Sequence, residues 1–356
     1  MSISEQPGSA DGVLLAVDLF CGAGGLTVGL QAAGFSVIAG VDVHPLATRA
    51  YRDNHPDVRV WEEDVRRIDP AQFRTSLALA RGELDLLAAC PPCQGFSSMR
   101  TLNGGRRVRD ARRALVHQII RFVEELGPRA VMVENVPGLA DDWRSARLRR
   151  ELRELGYGVA EDVVNVADFG VPQRRRRYVM VALKDGQPSL ARPDGTMMTV
   201  RQFIGDLPEA GGSGDPLHDH GESRRADIRA LIARIPPDGG SRSDLGPDMQ
   251  LACHRRTDGF YDVYGRMHWD RHAPTITGGC INPSKGRFLH PQENRAITLR
   301  EAALLQTFPP TYRLPLNDGR GSGKYAVAEL IGNALPPAFV TRQAAPIAEV
   351  LRAVTA

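Results

Sequence analysis

The chain has 356 residues, 42% hydrophobic and 24% charged, with a formal net charge of only +3. That composition fits a globular enzyme with one large and one smaller domain, and the net charge singles out no partner. No apolar run reaches membrane-spanning length, and five scattered cysteines with no secretory leader argue against a disulfide framework.

The first residues, MSISEQPGSADG, lack a signal peptide's basic start and apolar stretch, so 1–11 read as a short disordered lead and the protein as intracellular. VLLAVDLF (13–20) then reads as a strand, a glycine-rich turn follows, and LTVGLQAAGF reads as a helix ending at Gly34. FSVIAGVD (35–42) is a second strand with a helix over PLATRAYRDN, and VRVWEED (58–64) a third strand. LDLLAAC (84–90) and RAVMVEN (129–135) are further strands, with helices near ALVHQIIRFVEEL and SARLRRELREL. VAEDVVNV (159–166) and RYVMVAL (177–183) close the series. Continuous apolar strands alternating with helices predict an α/β fold, doubly wound, with a mostly parallel sheet covered on both faces. NVADFGVPQ, between the last two strands, takes no role from this reading.

From 186 to 263 the chain is rich in Gly and Pro, with one helix near ADIRALIARI; this reads as a loop-rich second domain. YGRMHWDRHAPTIT (264–277) and TLREAALLQTFP (298–309) are more ordered, and the apolar C-terminal turn and helix dock back on the first domain. The expected division is 12–185 plus 327–356 against 186–326.

Ligands of such sheets bind beyond the carboxyl ends of the strands, where Asp18 to Gly25, Asp42, Asp64, Cys93 and Glu134 fall. DLFCGAGGL is a tight turn that lets backbone approach a cofactor. Thr27 stands where a dinucleotide G-x-G-x-x-G would need glycine, which disfavours a Rossmann dehydrogenase. Asp42 could accept ribose hydroxyls and Asp64 an adenine amino group, with Phe20 against the ring; the plainer reading is that strand-end aspartates cap the next helix. In this order they favour an adenosine-containing cofactor.

LLAACPPCQGFSS (86–98) admits three readings: a redox dithiol, half a zinc site, or one nucleophilic cysteine. Only Cys90 and Cys93 are close in sequence, and His218 and His220 form a lone His-x-His in a polar loop, so no metal is expected. Arginines cluster in 100–113, 144–153, 173–177 and 254–256. The spacing of RSARLRRELR, with Glu151 and Glu154 as neighbours, is that of an exposed helix face.

Taken together, DLFCGAGGL, PPCQGFS (91–97), ENV (134–136), Gln173-x-Arg175-x-Arg177, RHAPTIT, TLREAALLQTFP and GNALPP (332–337) resemble, in order and over nearly the whole chain, the DNA (cytosine-5) methyltransferases. The resemblance implies a Rossmann-like class I methyltransferase fold with a target-recognition domain. It also implies S-adenosylmethionine as donor and S-adenosylhomocysteine as product. Cofactor contacts would be Phe20, Gly22, Gly24, Gly25, Leu26, Asp42, Val43, Asp64, Val65, Pro92, Leu115, Asn333 and Ala334. Cys93 would add to cytosine C6, turning the ring into an enamine able to attack a methyl group. Glu134 would donate to N3, Arg177 would lie near the cytosine carbonyl, and Arg175, Gln94 and Ser97 would support the catalytic loop. If the extended geometry of RYVMVAL already holds at 173, then 173, 175 and 177 share one face and 174 and 176 the other. The target base must leave the duplex, and SSMRTLNGGRRVRDARR, with a Gly-Gly hinge, suits the mobile loop this needs. Arg106, Arg107, Arg109, Arg112, Arg255 and Arg256 are the expected contacts to double-stranded DNA.

The implied enzyme is a monomer at the nucleoid, with a separately acting restriction endonuclease as candidate partner. A related RNA methyltransferase typically carries a Cys-Phe-Thr tripeptide, absent here. A catalytically silent relative would not keep Cys93, Glu134 and Arg177 together. Cys90, ending a buried strand, is expected to behave as a small apolar residue and its pairing with Cys93 to be coincidental, so that Cys90→Ser or Ala leaves most activity.

Overall fold

A computed structural model of the protein describes residues 12–92, 115–220, 224–246, 262–316 and 323–355. Two compact units make up the chain. The first is Met1–Val164, Arg176–Arg192 and Phe339–Ala356; the second is Asn165–Arg175 and Pro193–Ala338. The segment between the last two strands, and residues 327–338, thus fall in the second unit, unlike the division at 185 and 327 read from sequence.

The first unit holds a seven-stranded sheet in the order β3-β2-β1-β4-β5-β7-β6. Its strands are β1 (Leu14–Leu19), β2 (Phe35–Asp42), β3 (Arg59–Glu62), β4 (Leu86–Ala89), β5 (Ala130–Asn135), β6 (Gly158–Asn165) and β7 (Arg176–Leu183). β3, β2, β1, β4 and β5 pair in parallel, and β7 pairs antiparallel with β5, Glu134 opposite Val179 and Asn135 opposite Tyr178. The central parallel strands β1, β4 and β5 are buried because successive side chains meet protein on both faces, whereas the edge strand β3 exposes Arg59 and Glu62. Leu87, Ala89, Val131 and Val133 join one cluster with Phe73, Ile119, Phe122, Leu126, Leu148 and Leu152. Their alternates Leu86, Ala88, Ala130 and Met132 are equally buried on the other face.

Helices α1 (Gly25–Ala32), α2 (Pro45–Asn54), α3 (Pro70–Ser76), α4 (Gln118–Leu126) and α5 (Trp143–Glu154) fill the crossovers. α3 lacks a clear apolar period but carries a local start signal, Asp69 accepting from the Ala71 amide with Pro70 in the first turn. In α5, Arg147 and Glu151 pair at i,i+4, as expected of an exposed face.

The second unit contains α6 (Val200–Ile204), α7 (Ala226–Arg234), α8 (Leu299–Leu305) and α9 (Lys324–Asn333); the last helix, α10 (Pro337–Thr355), lies mostly in the first unit, where Thr341 donates to the Gly29 carbonyl. Around α7 the apolar core is small, built on Leu231, Ile232, Ile235, Leu245, Val263, Tyr264 and Leu289. Arg266, 1% exposed, supplements it by donating to the carbonyls of Ile232, Ile235, His290 and Glu293. One buried guanidinium thus satisfies loop carbonyls that regular structure would otherwise have paired. NVADFGVPQ also closes on itself: the Asn165 side chain accepts from the Arg175 amide, and the Val166 amide donates to the Arg175 carbonyl.

Candidate active site at the carboxyl edge of the sheet

β1 runs into a turn that only special backbone can make. Phe20 has φ 62°, Gly22 54° and Gly24 95°, all left-handed. A left-handed phenylalanine is strained, a condition that concentrates at binding sites. A Cβ built on Gly22 would meet nothing within 4 Å, so the turn faces open space. Beneath it, Thr27 explains why the third dinucleotide glycine is missing. Its hydroxyl donates to Asp18 Oδ2 at 2.7 Å and lies 2.6 Å from the Tyr51 hydroxyl, all three side chains being buried.

Burial pushes the Asp18 carboxyl from 3.8 up to about 8, against the Thr27 hydrogen bond. A folded-state value above the unfolded one means that folding holds an extra proton between these pH values, so stability falls as pH rises through that window and levels off above it. Asp18→Asn keeps an acceptor for Thr27 and removes the titration. Melting temperatures measured from pH 4.5 to 8.5 are expected to decline less steeply in the variant than in the wild type; parallel slopes would contradict this origin.

Asp42, at the end of β2, accepts from the Gly22 amide (2.9 Å) and the His44 amide (2.8 Å), tying two strand-end turns together. It does not cap α2, since the His44 side chain does that. Burial raises the Asp42 carboxyl despite these amides. Val43 beside it is 63% exposed, an apolar surface at the turn, and half-buried Phe20 packs against the core. Asp64 has both oxygens on the Arg66 guanidinium, which brings its carboxyl down to about 2. A ligand amino group there would have to share it with Arg66. Gly24, Gly25, Leu26 and Val65 are buried, while Gly22, Pro92 and Leu115 are half-buried. An open glycine turn, a carboxylate at the second strand end and an exposed aliphatic side chain beside it fit an adenosine-containing group. Asn333 ends α9 and Ala334 follows it, both within the second unit.

A second cluster sits where β4 and β5 end. Asn135 donates to the Pro91 carbonyl at 2.9 Å, so the ENV motif braces the Pro-Pro turn directly. Glu134 is 2% exposed, and its Oε1 lies 2.7 Å from Arg177 Nε. Arg177 Nη1 donates to the Arg176 carbonyl. Glu134 Oε2 accepts from the Cys90 thiol at 2.8 Å. Cys90 is therefore not the inert apolar residue expected from its place after a strand; its sulfur is a polar partner of the buried carboxylate.

The alternation expected across 173–177 is present, with 173 and 175 buried and 174 and 176 exposed. The three inward side chains nevertheless do different things. Gln173 donates to the Leu305 carbonyl and to Gln306, and accepts from the Ile276 amide. Arg175 donates to the carbonyls of Ile276 and Gly332. Both brace the interior of the second unit, and of the two arginines 175 and 177 it is Arg177 that pairs with Glu134; the catalytic loop at which Arg175 is expected lies outside the described residues. Cys93, Gln94, Ser97, Arg106, Arg107, Arg109, Arg112, Arg255 and Arg256 lie outside the described residues.

The second unit also carries a cavity of about 340 Å³ lined by Arg174, Arg271, Arg287, His268 and His272, with Met197 among its apolar walls. Burial lowers both histidines, leaving the charge to the arginines. Arg287 is committed to Asp262 and to the carbonyls of Gly239 and Arg266. The guanidiniums of Arg174 and Arg271 have no hydrogen bond or ion pair among the described residues. The site leaves no local motif in the sequence because its residues are scattered from 174 to 287. The signal available was single arginines next to histidines in DRHAP.

Known proteins share both sequence and fold. The family model described as C-5 cytosine-specific DNA methylase matches residues 14–349. The Type II methylase M.HgiDII of Herpetosiphon aurantiacus is 36% identical over 338 residues, 91% of this chain and 92% of that protein. The Type II methyltransferase M.AgeI of Thalassovita gelatinovora is 30% identical, covering 90% of this chain and 96% of that one. The solved structure of the S. pombe Dnmt2 methyltransferase superposes with a TM-score of 0.61 at 20% identity over 95% of this chain and 99% of that chain, a likeness of fold. The sheet is that of the class I methyltransferases. By a match that spans almost its full length, the chain belongs to the family of C-5 cytosine-specific DNA methylases.

Proposed function

We propose that the protein transfers a methyl group from S-adenosylmethionine to C5 of a cytosine turned out of double-stranded DNA, through a covalent bond between Cys93 and C6. The observation that carries this reading is the Glu134–Arg177 pair at 2.7 Å, set beside a Pro91-Pro92 turn that Asn135 braces just ahead of Cys93. Bound cofactor would supply an electrophilic methyl group. Phe20, Val43 and Asp42 would hold its adenosine portion in the order the strand ends present them.

The chain's own groups divide the remaining work. The Cys93 thiolate adds to C6, which makes C5 nucleophilic. Glu134 carries a proton toward ring N3, so that charge does not accumulate there. Arg177 neutralises Glu134 between turnovers and offers donors to the ring carbonyl. After methylation the C5 proton leaves to a base and Cys93 is expelled, restoring the thiolate. The uncommitted Arg174 and Arg271 suit a polyanionic backbone, as phosphate contacts position a duplex without reading it. Type II relatives support placing the enzyme in a restriction–modification pair, with the endonuclease a separate protein. Among the described residues no helix is long and apolar enough to cross a membrane.

Expression in a host free of 5-methylcytosine, followed by base-resolution sequencing of its genomic DNA, tests the reading. The expected result is 5-methylcytosine confined to one recurring sequence. Unmodified DNA alongside folded protein would contradict it.

A further inference from the structure

The reaction above leaves one polar contact unused. Cys90 follows the last residue of β4, and its amide donates to the Leu19 carbonyl at 3.2 Å, which fixes its backbone against β1. From there its thiol donates to Glu134 Oε2 at 2.8 Å while Arg177 Nε holds Oε1 at 2.7 Å. Each carboxylate oxygen is thus gripped by a different strand end, and a buried carboxyl held at both oxygens cannot rotate freely about its terminal bond. We propose that Cys90 is a positioning residue for Glu134, orienting the carboxyl for proton delivery and biasing its protonation.

The bias follows from hydrogen-bond chemistry. A donor to the carboxylate stabilises its charged form. Oε2 has two acceptor positions, so it can carry the deliverable proton at one and still accept from the thiol at the other. A methyl group cannot donate there; a hydroxyl donates more strongly. The proposal rests on the reading of Glu134 as the proton carrier, and the test separates the two.

The experiment uses the full chain with Cys90→Ala, Cys90→Ser and Glu134→Gln, measuring transfer of labelled methyl groups from S-adenosylmethionine to unmethylated bacterial genomic DNA from pH 5.5 to 9. For Cys90→Ala, kcat is expected to fall about 5- to 20-fold, part of the ~10²–10⁴ carried by a positioned acid. KM for DNA and for cofactor should change by less than about twofold, since the contact orients a reacting group and binds neither. Loss of a donor favours the protonated carboxyl, so the alkaline limb of the pH–rate profile moves upward in Cys90→Ala. The stronger donor in Cys90→Ser moves it downward and keeps kcat within about threefold of wild type. The ordering Ser, Cys, Ala from low to high pH is the signature that a merely structural role would not produce. Should the alanine variant fail to fold, the serine shift alone decides. Coincident limbs and equal kcat, with Glu134→Gln inactive, would overturn the proposal and leave Glu134's role intact. Full activity of Glu134→Gln would overturn that role instead.

Discussion

Cys93→Ala is expected to reduce methyl transfer by about 10⁴-fold or more, the scale on which loss of a nucleophile acts, while duplex DNA binding stays measurable by filter retention or gel shift. The loss is large because cytosine C5 alone is a poor nucleophile, and only addition at C6 makes it reactive. A second measurement uses the same step. On duplex DNA with 5-fluorocytosine at the target, fluorine cannot leave as a proton, so Cys93 stays bound and a denaturation-resistant complex accumulates. Cys90→Ala should still form that complex, though more slowly, and Cys93→Ala should not. An adduct that survives Cys93→Ala would assign the nucleophile to another residue. That pattern would show that Cys90 is not redundant with Cys93, with one forming the bond and the other holding the acid that makes the bond productive.

Glu134→Gln should lower kcat by ~10²–10⁴, as expected for removal of a positioned acid, with little change in cofactor KM. The amide keeps the shape and leaves an oxygen facing Arg177, but it delivers no proton. Glu134→Ala should do further damage. Arg177 is only 11% exposed in its side chain and would there lose even the neutral amide oxygen that the Gln variant keeps opposite it. Breaking such a pair from one side costs ~3–5 kcal/mol. Urea unfolding of the two variants separates the effects: an inactive but stable Gln variant beside an inactive, destabilised Ala variant is the predicted pattern. A Gln variant as destabilised as the Ala variant would make Glu134 chiefly a structural counter-ion.

Much of this site was legible because its residues sit at the ends of buried parallel strands, where sequence pattern is strong. VLLAVDLF, FSVIAGVD and RAVMVEN are largely apolar runs that carry an acid within their last three residues, and each forms a strand in the sheet. The glycine turn was visible too, but the meaning of Thr27 was not. Its partners Asp18 and Tyr51 are 9 and 24 residues away, and no local pattern links them. The Cys90–Glu134 contact spans 44 residues between neighbouring strands, so it depends on β4 lying beside β5. Gln173 and Arg175 share the face that the alternation predicts, yet the partners they brace in the second unit lie 101 to 157 residues onward, beyond any local pattern. In the second unit, sequence signals were weakest where loops are held by side chains such as Arg266, since one arginine binding several carbonyls leaves no periodicity.

The reversed direction of β7 has a consequence for where chemistry can be placed. In a wholly parallel sheet every strand brings only its last residues to the ligand-facing edge. β7 runs against β5, so its opening residues arrive there instead, and Arg177 stands beside Glu134 two positions after Arg175. Were the same eight residues threaded in parallel, Arg177 would sit near the far rim, roughly 20 Å away at about 3.3 Å per residue. One inverted strand therefore lets a cation that has barely entered the sheet share a pocket with an anion about to leave it.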